Sequence, residues 1–141
     1  MIGITSSVRR QIVRIEHVAL WTTDLERCRE FYVRYFGAVA GAGYHNRTKG
    51  FESVFLSLAD GARIELMHTT TLAPVAIEAG AQRMGLTHLA ISVGSQELVD
   101  SLTNRLRSDG FPVLDGPRRT GDGYYESVVL DPDGNRIEIT V

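Results

Sequence analysis

Residues 60–66 read DGARIEL, and residues 133–139 read DGNRIEI. Five of the seven positions are identical, and the last exchanges a leucine for an isoleucine. In both copies an Asp-Gly pair, which is typical of a tight β-turn, precedes an acidic residue between two aliphatic ones. This repetition predicts two copies of one structural unit, each of which ends in a hairpin.

A second repeated pattern precedes each hairpin. Residues 15–20 read IEHVAL and residues 86–91 read LTHLAI, and each has a histidine followed by aliphatic residues. The interval from the first histidine to the second is nearly the same as the interval from the first hairpin glutamate to the second, about 70 residues in each case. We therefore predict one domain, residues 13–141, that contains two modules. An N-terminal tail (1–12) is predicted to precede the domain, which divides into module one (about 13–68), a linker (69–85) and module two (about 86–141).

Both modules have the same predicted order of elements: a strand, a helix, a loop and a hairpin. The first helix is predicted to begin with Thr23 or Asp24 as its N-cap and to end at Gly37. The second is predicted to begin at Ser95 and to end near Gly110. Because each last strand belongs to a hairpin, we expect mixed sheets, each covered by a helix, in an α+β fold.

The composition excludes several classes of function. A formal net charge of −2 offers no basic field for a nucleic-acid backbone, so no nucleic-acid partner is expected. No run approaches the roughly 18 apolar residues that span a bilayer, so no membrane partner is expected either. The single cysteine, Cys28, rules out an intrachain disulfide and fits a reducing cytoplasm, which is the predicted location.

The chemistry of the repeat lies in two pairs of side chains. In each predicted strand one face is uniformly aliphatic and suits packing on the helix. Strand alternation places His17 and Glu65 of module one, and His88 and Glu138 of module two, on the opposite face. Two imidazoles and two carboxylates suit a divalent metal and leave coordination positions for a substrate. A histidine in a strand is more commonly a core residue, and a glutamate more commonly faces water. The same pair recurs in both modules, which favours the metal site.

Several other residues are weaker candidates for substrate binding. Trp21 and Met67 share the predicted face of Glu65 and either line an apolar pocket or belong to an interface. Arg118 and Arg119 precede a glycine-rich loop and either meet an anionic substrate or form a solvated pair. Tyr125 is expected on the Glu138 face if both hairpins have the same register. A shift of one residue would place Glu126 there instead.

Two longer stretches resemble a known family. IEHVALWTTDLERCREFYVRYFGA (15–38) resembles the opening, and GYYESVVLDPDGNRIEI (123–139) the closing, of proteins of the vicinal oxygen chelate superfamily. The superfamily includes glyoxalase I, fosfomycin-resistance proteins, extradiol dioxygenases, methylmalonyl-CoA epimerase and bleomycin-resistance proteins. The resemblance covers residues 13–141. It implies two tandem βαβββ modules that form a cup-shaped mixed sheet around a metal site.

Within that superfamily the ligand set separates the branches. Glyoxalase I-like members commonly have His/Glu/His/Glu at four places, which match His17, Glu65, His88 and Glu138. Fosfomycin-resistance proteins and extradiol dioxygenases have no acidic ligand at the second place, the epimerase usually has glutamine there, and bleomycin-binding members lack the ligands. The resemblance therefore implies the glyoxalase-like branch with one divalent metal per site. Zinc or nickel is expected first, and cobalt, manganese or iron are alternatives.

The resemblance implies a lyase of the lactoylglutathione lyase type. Such an enzyme transfers a proton through a metal-bound enediolate, on a small 2-oxoaldehyde–thiol adduct or a related α-hydroxycarbonyl. Glu138 is the implied catalytic base, and Glu65 is a ligand and a possible second base. Trp21 and Thr69 stand where glutathione-dependent members commonly have Arg and Asn, so glutathione is not implied.

The resemblance also implies a homodimer, because many members build each cup from two chains. Whether the four ligands come from one chain or from two remains open at this point. Two other functions are alternatives on the same scaffold. One is a dioxygenase or epimerase, and the other is a non-catalytic protein that binds a small molecule, as bleomycin-resistance proteins do.

Overall fold

Two sheets, each with one helix against it, make up the computed structural model, which describes residues 13–73, 81–82 and 84–141. The predicted tail and part of the predicted linker lie outside the described residues. Among the helices in the described part of the chain, none is both long and apolar enough to cross a membrane. The predicted α+β architecture of two similar mixed sheets is confirmed.

Module one contains a five-stranded sheet in the order β1-β5-β4-β2, with β3 also paired to β4. The first strand lies parallel to the last, and the other pairings are antiparallel. Its elements are β1 (His17–Trp21), α1 (Leu25–Phe36), β2 (Val39–Ala40), β3 (Tyr44–Asn46), β4 (Phe51–Ser57) and β5 (Arg63–Thr69).

Module two repeats this topology in a four-stranded sheet of order β6-β9-β8-β7. Here too the first strand lies parallel to the last, and the hairpin pairings are antiparallel. Its elements are β6 (Leu89–Ser92), α2 (Gln96–Ser108), β7 (Val113–Arg119), β8 (Tyr125–Leu130) and β9 (Arg136–Thr140).

Short-range signals set the ends of both helices. The Asp24 carboxylate accepts a hydrogen bond from the Arg27 amide at 3.0 Å, so Asp24 is the N-cap of α1. Gly37 ends the helix in a left-handed conformation, with φ at 64°. Ser95 caps α2 through the Leu98 amide.

The core lies between each sheet and its helix. Alternate residues of the strands point toward the helices and are aliphatic, as the sequence pattern predicts. Fully or almost fully buried examples are Val54, Leu56, Ile64, Leu66, Val129, Ile137 and Ile139. The face opposite the helix in each module carries the histidines and glutamates of the repeat, and we call it the site face.

The modules meet through α1. The Phe31 ring lies 4.9 Å from the Phe111 ring of module two, and the Tyr32 hydroxyl donates a hydrogen bond to the buried Asp131 carboxylate at 3.0 Å. The Arg27 guanidinium reaches Asp133 at 3.2 Å. Helix α1 therefore packs against its own sheet on one side and contacts the β8–β9 turn on another. Among the described residues, no strand of one sheet pairs with a strand of the other.

Candidate metal centre

The first candidate pair lies on the site face of module one. Strand pairing sets Ala19 opposite Glu65, and alternation brings His17 to the same face. The His17 Nε2 atom is 3.6 Å from Glu65 Oε2. The other ring nitrogen, Nδ1, is 2.5 Å from the Glu16 carboxylate, and Glu16 also accepts a bond from Arg63 Nε at 2.9 Å. These hydrogen bonds from His17 and Arg63 hold the pKa of Glu16 below its usual value.

The second pair repeats this arrangement in module two. The His88 Nε2 atom is 3.2 Å from Glu138 Oε2. The His88 Nδ1 atom is 3.1 Å from the Thr87 hydroxyl, which comes just before it in the chain. In both modules the preceding residue holds Nδ1, and Nε2 points to the carboxylate. Metal-binding histidines are typically oriented in this way by a partner on the second ring nitrogen.

The donor set fits a divalent ion in its chemistry, but each pair is only half of the predicted set. Both histidine side chains are about 40% exposed, so the site face is open to solvent at both histidines. Imidazole nitrogen and carboxylate oxygen suit zinc, nickel and related ions. Within the part of the chain that the structure describes, no three His, Cys, Asp or Glu side chains converge as a metal site. One chain therefore presents two separate pairs.

The other two histidines lie on the opposite face. Strand pairing sets His45 and His68 on either side of Glu52, which shares its face with the buried Val54. The His68 Nδ1 atom is 3.0 Å from the carbonyl oxygen of Thr22. These histidines are therefore not part of the site face.

The expected position of Tyr125 is wrong. The two hairpins do have the same register, since Phe55 faces Glu65 and Val128 faces Glu138. Residues paired across antiparallel strands share a face, and Tyr125 is an odd number of positions from Val128. Tyr125 therefore lies on the helix side, where its hydroxyl donates to Asp100 of α2 at 2.7 Å.

Glu126 occupies the site face instead. The sequence pattern indicates this residue only as the alternative to Tyr125. It lies two residues from Val128, the partner of Glu138. Burial and the nearby negative charge of Glu138 raise the pKa of Glu126. The signal that identifies it is the spacing: in both hairpins the residue facing the ligand glutamate lies ten positions earlier in the chain.

The remaining candidates for substrate binding also divide between the two faces of the sheets. Trp21 and Met67 are paired across β1 and β5 on the site face, as predicted. Arg118 faces Glu126 across β7 and β8, so it also belongs to the site side, although Asp115 already binds its guanidinium. Arg119 is on the other face and donates to the carbonyl oxygen of Gly123.

Comparisons with known proteins agree with this fold. The family model described as Glyoxalase/Bleomycin resistance protein/Dioxygenase superfamily matches residues 14–139. The uncharacterised protein YqjT of Bacillus subtilis strain 168 is 28% identical over 132 residues, which cover 89% of this chain and 96% of YqjT.

Solved structures give the same result. Glyoxalase I from Zea mays superposes with a TM-score of 0.73 at 21% identity, and the match covers 90% of this chain. It covers only 44% of the maize chain, so this chain is similar to somewhat less than half of that protein. A glyoxylase/bleomycin resistance protein/dioxygenase domain from Frankia sp. EAN1pec gives a TM-score of 0.77 at 20% identity, with coverage of 93% and 98%. At these identities the two likenesses show the fold alone.

A possible glyoxalase from Bacillus cereus has a TM-score of 0.65 at 28% identity, and the match covers 90% of this chain and 97% of that one. The resemblance stated from the sequence is therefore confirmed at the level of the family. With a family model that spans nearly all of the described residues, the chain belongs to the Glyoxalase/Bleomycin resistance protein/Dioxygenase superfamily.

Proposed function

We propose that this protein is a metal-dependent lyase or isomerase of the glyoxalase I type. It would move a proton between neighbouring carbons of a small α-hydroxycarbonyl or 2-oxoaldehyde–thiol adduct. The observation that carries the proposal is the duplicated pair, in which an oriented histidine Nε2 lies 3.6 Å or 3.2 Å from a glutamate oxygen. A bound divalent ion would supply Lewis-acid chemistry, polarising two neighbouring substrate oxygens and acidifying the adjacent C–H.

The protein's own residues divide the remaining work. His17, Glu65, His88 and Glu138 would hold the ion. Glu138 is the proposed base, which takes a proton from one carbon and returns it to the next. Glu126 lies beside Glu138 on the site face, and burial and the charge of Glu138 raise the pKa of Glu126. A protonated Glu126 can donate a hydrogen bond to Glu138 and orient that carboxylate.

We also propose that each complete site takes one pair from each of two chains. Within one chain the described pairs do not converge. Among the described residues, β1, which contains His17, and β6, which begins one residue after His88, are both edge strands of their sheets. Exposed apolar residues, Ile15 and Leu86, lie just before these strands. Unpaired edges with exposed apolar residues favour association, so a homodimer that joins β1 of one chain to β6 of its partner accounts for both features.

The first experiment is to measure the metal content per chain of the purified protein. We expect about one divalent ion per chain, and we expect it to be lost in His17→Ala and in Glu138→Ala. His45→Ala is the matched control, because that histidine lies on the opposite face and should leave the metal in place. A protein that binds no zinc, nickel or manganese would refute the proposed enzyme.

A second variant separates an enzyme from a binding protein. Glu138→Gln keeps an oxygen donor but cannot accept the proton. Turnover lost with metal retained supports catalysis by Glu138. Unchanged turnover, or the same small-molecule binding with no turnover in wild type and variant, argues against it.

A further inference from the structure

An aromatic cluster lies on the site face of module one, beside the first candidate pair. In β4, Phe51 and Phe55 face Thr69 and Glu65 of β5, which places both rings on that face. The Trp21 ring meets the Phe51 ring edge to face, with centroids 6.4 Å apart. The centroid of the Tyr44 ring lies 6.1 Å from that of the Phe51 ring. We call Trp21, Tyr44 and Phe51 the aromatic wall.

Two of the three wall residues are exposed although their side chains are large and aromatic, and Phe51 is partly buried. Trp21 is 49% exposed and Tyr44 is 56% exposed. Between His17 and Trp21 on the same face, β1 carries only Ala19, which is also exposed. Ala19 is therefore a small residue between two larger rings, and we call the surface above it, between His17 and Trp21, the slot. Contiguous exposed apolar surface next to polar groups is typical of a ligand site.

The slot lies beside the pair formed by His17 and Glu65. Ala19 is paired with Glu65, and Trp21 is two residues further along β1. A strand advances about 3.3 Å per residue, so Trp21 lies roughly 7 Å beyond Glu65 along the sheet. This spacing suits a ring attached directly to a carbon whose oxygen lies at the candidate centre. A longer peptide-like group would extend past the wall.

The charges near the slot favour a neutral group. The Arg63 guanidinium lies over the Phe55 ring at 4.1 Å and binds the Glu16 carboxylate. The Arg63 guanidinium is therefore already paired with the Glu16 carboxylate, which in turn orients His17. The wall itself carries no formal charge, so a flat apolar group gains contact with ring faces and edges there without losing an ionic partner.

We infer that the substrate carries a planar apolar group, such as an aromatic ring, directly on its pair of oxygen-bearing carbons, and that Trp21 and Phe51 hold this group beside Glu65. The inference rests on the proposed function, since it assigns the substrate class of the same site. It assigns Trp21 and Phe51 to specificity and leaves proton transfer to Glu138.

The test compares two probes that differ only in this group. Mandelate and lactate each present a hydroxyl and a carboxylate on neighbouring carbons, and mandelate replaces the methyl group of lactate with a phenyl ring. We expect the metal-containing protein to bind mandelate at least about tenfold more tightly than lactate by calorimetry. Because Trp21 is the single tryptophan of the chain, mandelate should also change the tryptophan fluorescence.

Substitutions in the wall should remove this preference. In Trp21→Leu and Phe51→Leu we expect the two probes to bind within about threefold of each other, at unchanged metal content and unchanged oligomeric state. Leu98→Ala, an exposed apolar position on α2, is the matched control and should keep the wild-type preference.

Three results would overturn the inference. Equal binding of the two probes by a metal-containing protein refutes it while the proposed function stands. Wall variants that keep the preference but dissociate the protein show that a second chain covers the wall. A protein without metal that binds neither probe refutes the proposed function and this inference together.

Discussion

At the scale of single residues, each candidate ligand histidine is oriented by the residue that precedes it. Glu16 holds His17 Nδ1 at 2.5 Å, and Thr87 holds His88 Nδ1 at 3.1 Å. A hydrogen bond to Nδ1 fixes the tautomer and the ring orientation, and an anionic partner also makes Nε2 a better donor to a metal. Module one therefore has the stronger orienting group, because the pKa of Glu16 is lowered and its carboxylate stays charged.

This difference gives the first prediction. Glu16→Ala should weaken metal affinity roughly ten- to a hundredfold without removing a ligand. Competition with a chelator of known affinity measures the change. Glu26→Ala is the control, because Glu26 is an exposed carboxylate that pairs with Arg29 on α1. Unchanged affinity in Glu16→Ala would show that Glu16 does not orient a metal ligand.

The residue scale also shows what the sequence can predict. Alternation correctly assigns Glu65 to the site face and its neighbours Ile64 and Leu66 to the core. The same rule misplaces Tyr125, because which residues of β8 share a face with Glu138 depends on the pairing across the turn. Periodicity within one strand carries no information on that pairing, so an error of one position moves every side chain to the other face.

At the scale of elements, Gly116 allows β7 to approach β8 closely. Its φ is 73°, and a Cβ atom at this position would lie 2.5 Å from the carbonyl oxygen of Glu126. Both the backbone conformation and the contact exclude a larger residue. The sequence shows Gly116 only as one of 14 glycines, because the close approach exists only once the strands are paired.

Gly116→Ala should therefore destabilise the fold by about 2–4 kcal/mol, because strain and a backbone clash add. Urea unfolding measures this loss. Gly123→Ala is the matched control: its φ is 98°, but no atom lies within 4 Å of the added Cβ. We expect that control to lose only about 1 kcal/mol, from backbone strain alone. Equal losses in the two variants would argue against the close approach.

Helix α1 is the element that joins the modules, and its hydrogen bond to Asp131 should depend on pH. Burial raises the pKa of Asp131, and the Tyr32 hydroxyl opposes this by donating to the carboxylate. Tyr32→Phe would raise the pKa further above the ordinary 3.8. A raised carboxyl pKa gives stability that is fully present below the unfolded value and is lost as pH rises through the folded value.

The cost of Tyr32→Phe should thus be about 2 kcal/mol at pH 7 and smaller near pH 4, because a carboxyl group with a raised pKa is protonated to a greater extent at the lower pH. Urea unfolding at the two pH values tests this. Tyr124→Phe, at an exposed tyrosine, should cost little at either pH. A cost that is the same at both pH values would contradict the role of the Asp131 carboxylate.

At the scale of the whole molecule, repetition in the sequence predicts two similar modules, but it does not predict which pairs share a site. Contacts such as Phe31 with Phe111 decide how the modules sit, and these aromatic residues look in the sequence like any other core positions. In the structure the two pairs are separate within the described chain. We therefore propose that a second chain supplies the missing pair.

Mixing two inactive variants tests this assembly without knowledge of the substrate. If each site combines module one of one chain with module two of its partner, His17→Ala and His88→Ala chains each lose both sites as homodimers. A heterodimer of the two has one site with both histidines replaced and one site that is intact. With random pairing, half of the dimers are mixed, so co-expression should restore about a quarter of the wild-type metal content.

Co-expression of His17→Ala with Glu65→Ala is the control, because both changes lie in module one and every site then lacks a ligand. Restoration in the first mixture and none in the control would establish sites shared between chains. No restoration in either mixture would mean that each chain completes its own site, and that the modules must then rearrange to bring His17 and His88 together.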